Sequence, residues 1–241
     1  MIDVNIVLIG GSVEAMVMAH HLVDDHNVFL IELEAEFGLP AMHPGRIVNP
    51  DLLASYLTDE QQTFLSLHPN AAGYGCRWDW LLKHLAANIA RRGVVCLSRT
   101  RILSCTQHDT QFSLELSPTE RDVPTHLIAD RTLVMTPPHR SGPGQRTHHL
   151  VPDTPESFPY PDVVEWYGGT VLTRDTADAP HPNLLLSRAD GMTELWWPEA
   201  MTWTPRQGFI ETARVLLPAQ ASELSFDAVV ARVRTYLSRF V

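Results

Sequence analysis

Between Val4 and Glu32 the chain runs apolar segment, glycine turn, helical segment, apolar segment and acidic residue, an order that narrows the fold to a parallel βαβ unit. Val4–Ile9 is a short run of β-branched and aliphatic residues and reads as a buried strand. Gly10-Gly11-Ser12 breaks it. Val13 to Val23 then predicts a helix: Val13, Met16, Val17 and His20 trace one side, while Ala15, Ala19 and Leu22 allow close contact with a sheet. Asp24 to Asn27 form a polar turn whose acidic residues oppose the dipole at a helix carboxyl end. Val28–Ile31 is a second buried strand, and it ends at Glu32.

That order is the one a dinucleotide site requires. A first glycine permits the tight turn, the next backbone stretch must approach a pyrophosphate closely, and the helix amides face the phosphates. An acidic side chain at the tip of the second strand can accept hydrogen bonds from ribose hydroxyls; Glu32 stands 22 positions after Gly10, near the expected interval of about 20. Against the pattern GxGxxG, Gly10 fills the first position, Gly11 the next, Ser12 replaces the second glycine, and Ala15 is the small residue at the third. Ser12 adds a side chain where a pyrophosphate would come closest, and it can either cap the helix or donate its hydroxyl to phosphate. Glu14 in the first turn suits the helix dipole but places negative charge beside two phosphates. The plainer reading of the same residues is a parallel strand pair with a tight turn and no ligand.

Further along, 34–50 is a loop rich in glycine and proline, and Asp51–Leu67 carries one or two short helices. Trp78–Ala90 is a stronger helix, with Leu81, Leu82, Leu85, Ala86 and Ile89 on one face and Arg91-Arg92-Gly93 as its stop. Val94–Ser98, Arg101–Cys105, Gln111–Leu116 and Thr125–Ile128 read as strands, with Asp130-Arg131 as a turn before a strand at Thr132–Thr136. Taken together, residues 4–140 resemble the FAD-binding domain of two-domain flavoprotein oxidoreductases of the amine oxidase and aromatic hydroxylase type. Ile9-Gly10-Gly11 with Glu32 looks like that group's phosphate turn and ribose carboxylate. Gly75-Cys76-Arg77-Trp78-Asp79 to Gly93-Val94 looks like its helix carrying an arginine near the flavin. Ile128-Ala129-Asp130 to Thr136, then Pro137-Pro138, looks like the segment returning to the nucleotide-binding sheet. The resemblance implies FAD as cofactor, with Gly10, Gly11 and Ser12 at the pyrophosphate, Glu32 at the adenosine ribose and Arg77 at a phosphate or flavin edge. The group's late Gly-Asp motif has no counterpart: Asp190 precedes Gly191, and Phe209 follows Gly208. The chain is also short for the group, which leaves the flavin site completed by a partner subunit, reduced or lost.

The remainder predicts a linker or long loop at 141–165, set in a stretch from Pro137 to Pro161 rich in proline, glycine, histidine and threonine, and an antiparallel β region with a terminal helix at 166–241. Trp166-Tyr167-Gly168-Gly169 leading into Thr170–Thr173 reads as a strand broken by a bulge. Asn183–Ser187, a hairpin turn at Asp190-Gly191 and Met192–Trp197 follow. Trp196-Trp197 cannot both enter one core, so one of them faces a second layer, a partner or a pocket. Phe226–Val241 is an amphipathic helix. The fold class expected is therefore α/β, a Rossmann-like three-layer FAD/NAD(P)-binding domain at 1–140 with an attached antiparallel β region.

Composition limits the functions. With 241 residues, 44% hydrophobic and 19% charged, the chain can bury a core. A net charge of -10 without a Lys/Arg cluster disfavours nucleic acid. Cys76, Cys96 and Cys105 form no CxxC pair, which argues against disulfides and thiolate metal sites. No stretch is long and apolar enough for a membrane span, and a cytoplasmic setting fits. His20-His21 and His148-His149 lack metal-ligand spacing, so no metal is expected. His43 and His139 follow elements near the expected cofactor edge, and either can be catalytic. The function expected is an FAD-linked oxidoreductase, or a subunit of one, acting on a small aromatic or amine-like substrate and assembling as a homo-oligomer or with a partner subunit. The alternatives are a non-catalytic flavoprotein-like domain serving in binding or assembly, and an NAD(P)-dependent reductase.

Overall fold

The computed structural model describes residues 2–38, 42–136, 156–201 and 203–240. In chain order these form β1 (Ile2–Ile9), α1 (Val13–Leu22), β2 (Val28–Ile31), β3 (Arg46–Ile47), α2 (Asp59–Leu65), β4 (His68–Asn70), β5 (Gly73–Gly75) and α3 (Trp78–Arg91). Then come β6 (Val95–Leu97), β7 (Thr100–His108), β8 (Gln111–Pro118), β9 (His126–Val134) and β10 (Val163–Leu172). Last are β11 (Leu184–Ser187), β12 (Met192–Pro198), β13 (Glu211–Pro218) and α4 (Phe226–Phe240). The chain divides into two compact units: Met1–Pro40 with Leu85–Tyr160 and Val233–Val241, and Ala41–His84 with Pro161–Arg232.

The first unit is built on a six-stranded sheet in the order β6-β2-β1-β9-β8-β7. Its first four strands are mutually parallel, and β8 and β7 continue it antiparallel. Both expected strands of the opening unit are present, and β2 is buried along its whole length, as a parallel strand covered on both faces must be. Helix α1 is buried on nearly every side, from Glu14 through Ala19 and at Leu22, so it behaves as an interior helix more than as an amphipathic one. One apolar cluster joins Val7, Ile9, Phe29 and Ile31 of the parallel strands to Cys105, Leu114 and Leu116 of β7 and β8. The antiparallel strands thereby cover part of the sheet.

One expectation for this unit needs correction. Asp130-Arg131 is not a turn: β9 runs unbroken through it, parallel to β1 with Ile6 opposite Arg131 and Val7 opposite Thr132. The polar pair instead separates a half with one face buried, at Leu127 and Ala129, from an end buried on both faces, at Thr132 to Val134. Of the stretch expected as a linker, 141–155 lies outside the described residues, as do Pro137, Pro138, His139, His148 and His149. Glu156 to Phe158 add a parallel pairing to the end of β9, with the Val134 amide donating to the Glu156 carbonyl and the Phe158 amide to the Val134 carbonyl, both at 2.9 Å.

The second unit carries a four-stranded antiparallel sheet, β11-β12-β10-β13, and a small sheet β3-β5-β4. The Asp190-Gly191 turn joins β11 to β12, with Gly191 at φ 78°, where a side chain would be strained. No bulge breaks β10: its pairing with β12 is continuous from Leu172 to Trp166. Gly168 and Gly169 serve packing. A methyl at Gly168 would sit 2.7 Å from the Trp196 ring, and one at Gly169 would sit 2.3 Å from the Phe209 ring. The two tryptophans are both buried and enter opposite clusters, Trp196 with Trp166, Leu184 and Leu217, and Trp197 with Val171 and Leu195. Strand β13 and the β3-β5-β4 sheet were not anticipated.

Candidate functional site

The glycine turn of the first unit brings together four of the five residues singled out in the sequence. Gly10, at φ 106°, turns the chain out of β1, and its amide donates to the Ile31 carbonyl at 2.8 Å, which ties the turn to β2. The Gly11 amide donates to Glu32 Oε2 at 2.6 Å, and the Glu34 amide to Glu32 Oε1 at 3.0 Å. Each oxygen of this buried carboxylate (3% exposed) thus takes a backbone donor. Ser12 caps α1, its Oγ accepting from the Ala15 amide at 3.1 Å. The Tyr160 hydroxyl donates to the Met135 carbonyl at 2.5 Å; the proton at its 3.0 Å contact with Ser12 must therefore come from the serine.

The turn is also covered by its own chain. The Gly38 amide donates to the Gly11 carbonyl at 2.6 Å, and a methyl on Gly11 would meet Phe37 and the Glu32 carboxylate at 2.8 Å each. A methyl on Gly10 would lie 2.2 Å from Thr136 Oγ1. Both glycines are therefore required by internal packing, whatever ligand comes to the helix end. The first-turn amides of α1 have no intrahelical acceptor and point out of the helix, as at any helix amino terminus.

Arg77, the fifth residue, belongs to the second unit. It grips Asp79 through Nε and Nη2 at 3.2 and 3.1 Å, and its guanidinium lies 4.8 Å from the centre of the Trp80 ring. Both members of the pair line a cavity of about 360 Å³, together with His43, Trp78, Trp196 and the Gly168–Thr170 backbone stretch. His43 stacks on Trp78 at 4.3 Å between ring centres. Its Nδ1 lies 2.9 Å from the Pro44 carbonyl, which can only accept, so Nδ1 carries the proton and Nε2 is the basic nitrogen. Burial, with the Arg232 charge, lowers its pKa to about 4 against the pull of the Pro44 bond.

A buried ion pair on the cavity wall had not been singled out. Arg188 Nη1 meets Glu194 Oε1 at 3.0 Å, and its Nη2 meets Asp190 at 3.1 Å. Glu194 also accepts from the Gly45 amide at 3.1 Å and the Trp196 indole at 3.2 Å. Desolvation raises the Glu194 pKa, and the Gly45 amide and Arg188 oppose it. The signal was present in the sequence: a glutamate inside an apolar strand, opposite Leu186 and so diagonal to Arg188 across the Asp190-Gly191 turn, is a cross-hairpin pair. The burial that makes it an interior pair was not. Close by, Cys76 is 1% exposed with its thiol pKa pushed up by desolvation and by Glu194, which makes it an inert thiol.

No protein-family model matches the chain, and no curated protein matches it. Solved structures do. The p-nitrophenol 4-monooxygenase PnpA from Pseudomonas putida DLL-E4 superposes with a TM-score of 0.62 at 10% identity, over 97% of this chain and 78% of that one. A geranylgeranyl bacteriochlorophyll reductase-like protein from Thermoplasma acidophilum gives 0.61 at 11% identity, over 91% and 67%. The myxobacterial chondrochloren halogenase CndH, described as a variant of FAD-dependent halogenases, gives 0.55 at 15% identity, over 99% and 58%. The chain thus spans between 58% and 78% of the length of these three. At such identities the likeness is one of fold: the chain has the mixed α/β, Rossmann-like architecture of these structures.

Proposed function

We propose that this chain is an FAD-linked oxidoreductase or one subunit of such an enzyme. The observation that carries the reading is the local construction of the turn. Gly10 at positive φ leads directly into the capped amino terminus of α1, while Glu32 is held at the tip of β2 by the Gly11 amide. In this reading Gly10, Gly11 and Ser12 hold the pyrophosphate against the helix end, Glu32 meets the adenosine ribose, and Arg77 meets a phosphate or flavin edge. A bound flavin would supply hydride or electron transfer, and the protein's share is binding, orientation and exclusion of side reactions. The fold shared with a monooxygenase and an FAD-dependent halogenase supports the assignment. A small aromatic or amine-like substrate fits the cavity walled by Trp78 and Trp196, where the neutral His43 offers an acceptor nitrogen. A partner subunit would complete the end of the site for which this chain has no Gly-Asp motif.

One observation favours a second reading, a flavoprotein-like domain that binds or assembles without redox chemistry. Phe37 lies over Gly11, and the Gly38 amide occupies the Gly11 carbonyl, so the chain covers part of the turn itself. The visible spectrum of the purified protein separates the two. Flavin absorption bands, or uptake of added FAD with a rise in thermal midpoint, are expected from the first. A colourless protein whose midpoint is indifferent to FAD overturns the reading in which this chain holds the flavin by itself, and favours the second.

A further inference from the structure

The cavity walled by Trp78 and Trp196 lies within the second unit, and one face of the antiparallel sheet forms its floor. Register sets Glu194, Thr170 and Glu211 side by side there. Thr170 pairs with Glu194 of β12 on one side and with Glu211 of β13 on the other, and directly paired residues share a face. In the next row Trp196, Gly168 and Ala213 are paired in the same way. Gly168 has no side chain and the Trp196 ring fills that space, so an aromatic ring leans from β12 over β10 beside the row of Glu211.

The charges of the cavity do not cancel. Its lining carries Arg77, Asp79, Arg188, Glu194 and Glu211. Arg77 is held by Asp79, and Arg188 by both Glu194 and Asp190. Glu211 is exposed and has no ion pair or hydrogen bond among the described residues. Counting Asp190, two arginines face four carboxylates; the balance stays negative even with Glu194 protonated, the form that its desolvation favours. His43 adds no charge near neutral pH, because burial lowers its pKa to about 4. Arg232, whose charge is felt at His43, does not line the cavity. Both guanidiniums in the lining thus have carboxylate partners, and what a ligand meets is the Glu211 carboxylate, the Nε2 acceptor of His43 and two indole rings.

The geometry points to a protonated amine on an aromatic body as the substrate class of this cavity, with Glu211 as the residue that selects it. The ammonium meets the Glu211 carboxylate with the Trp196 ring beside it, and the body lies against the two indoles. An aromatic acid would find no uncommitted cation in the lining. The inference rests on the reading of this cavity as the substrate site and narrows it to the amine.

Isothermal titration of the full chain at low ionic strength with 2-phenylethylamine, 2-phenylethanol and phenylacetate tests it. The amine is expected to bind about fivefold or more tightly than the alcohol, the worth of one partly exposed ion pair, and phenylacetate more weakly than either. Glu211→Gln, at an exposed position, is expected to bring the amine down to the level of the alcohol while the alcohol's own affinity holds. Glu211→Lys is expected to place phenylacetate above the amine. An amine that binds no better than the alcohol overturns the proposal. So does a preference that survives in Glu211→Gln, which would report only the pull of any cation towards a chain of net charge -10. The titration requires no flavin chemistry. A protein that takes up FAD without preferring the amine therefore sinks the substrate class alone, and one that prefers the amine without taking up FAD sinks the flavin reading alone.

Discussion

At Gly10 two constraints coincide. Its φ of 106° lies where side chains are strained, and a methyl would sit 2.2 Å from Thr136 Oγ1 and 2.9 Å from the Thr136 amide nitrogen. Shortening Thr136 would clear the first contact but not the second, which is backbone. Gly10→Ala is therefore expected to lower stability by about 3 kcal/mol, read from urea unfolding, and Thr136→Ala should not restore it. His43 makes a different prediction, about pH. Its pKa falls from the ordinary 6.5 to about 4 on folding, so the unfolded chain binds the proton more readily. The stabilising share of the neutral ring is complete above about pH 6.5 and disappears as the pH falls towards 4. His20, lowered to about 4 by burial and by Arg92, contributes in the same sense. Unfolding midpoints measured between these pH values should fall with acidity, and His43→Phe should make that fall shallower without abolishing it. A midpoint independent of pH over this window would contradict the desolvation of these two half-buried rings.

Strand β10 shows how an element can be misread when its packing partner is distant in sequence. Two adjacent glycines suggest a bulge, yet the strand is regular because Trp196 crosses Gly168 on one face and Phe209 covers Gly169 on the other. Gly168→Ala should cost about 1–3 kcal/mol by overpacking, and a smaller ring at Trp196→Phe should recover part of that loss in the double variant. Simple additivity of the two changes would argue against the ring as the obstacle. Elements with a period of their own were legible: β1, α1, β2, α3 and the terminal helix each carry a run or a face of apolar residues. Strand β13 was not, because its first six residues, from Glu211 to Leu216, are exposed or half-buried, and its alternation is confined to Ala213, Val215 and Leu217. Nor were β3, β4 and β5, which are two or three residues long and exist through their pairing. The site divides the same way. Gly10, Gly11, Ser12 and Glu32 announce themselves by spacing, whereas the Tyr160 contact to Ser12 spans 148 positions and follows from tertiary structure alone.

On the scale of the molecule, neither compact unit is one stretch of chain: the first is assembled from three segments and the second from two. Sequence order therefore says little about which residues fold together, and cutting the chain at Tyr160 should be costly to both units. The carboxyl-terminal fragment 161–241 would lose the Gly45 amide that supports Glu194, leaving that buried carboxylate to Arg188 and Trp196. It would also lose Asn70, whose side chain accepts from the Ser187 amide at 2.8 Å and donates to the Ser187 carbonyl at 3.0 Å, and with it the edge of β11. Arg46, which reaches the Ala72 and Ala221 carbonyls at 2.7 Å each, would go as well. The fragment keeps the four strands of its antiparallel sheet but lacks the residues that satisfy one edge and the buried acid. Since buried polar groups left unpaired each cost roughly 1–3 kcal/mol against a domain stability of about 5–15 kcal/mol, a few such losses suffice to unfold it. Expressed alone, 161–241 is expected to show poor amide dispersion by NMR and no cooperative thermal transition. Co-expression with 1–160 should restore both if the interleaving is what holds the sheet, and a fragment that folds cooperatively by itself would show that the β3-β5-β4 region is an accessory to the second unit and not part of its foundation.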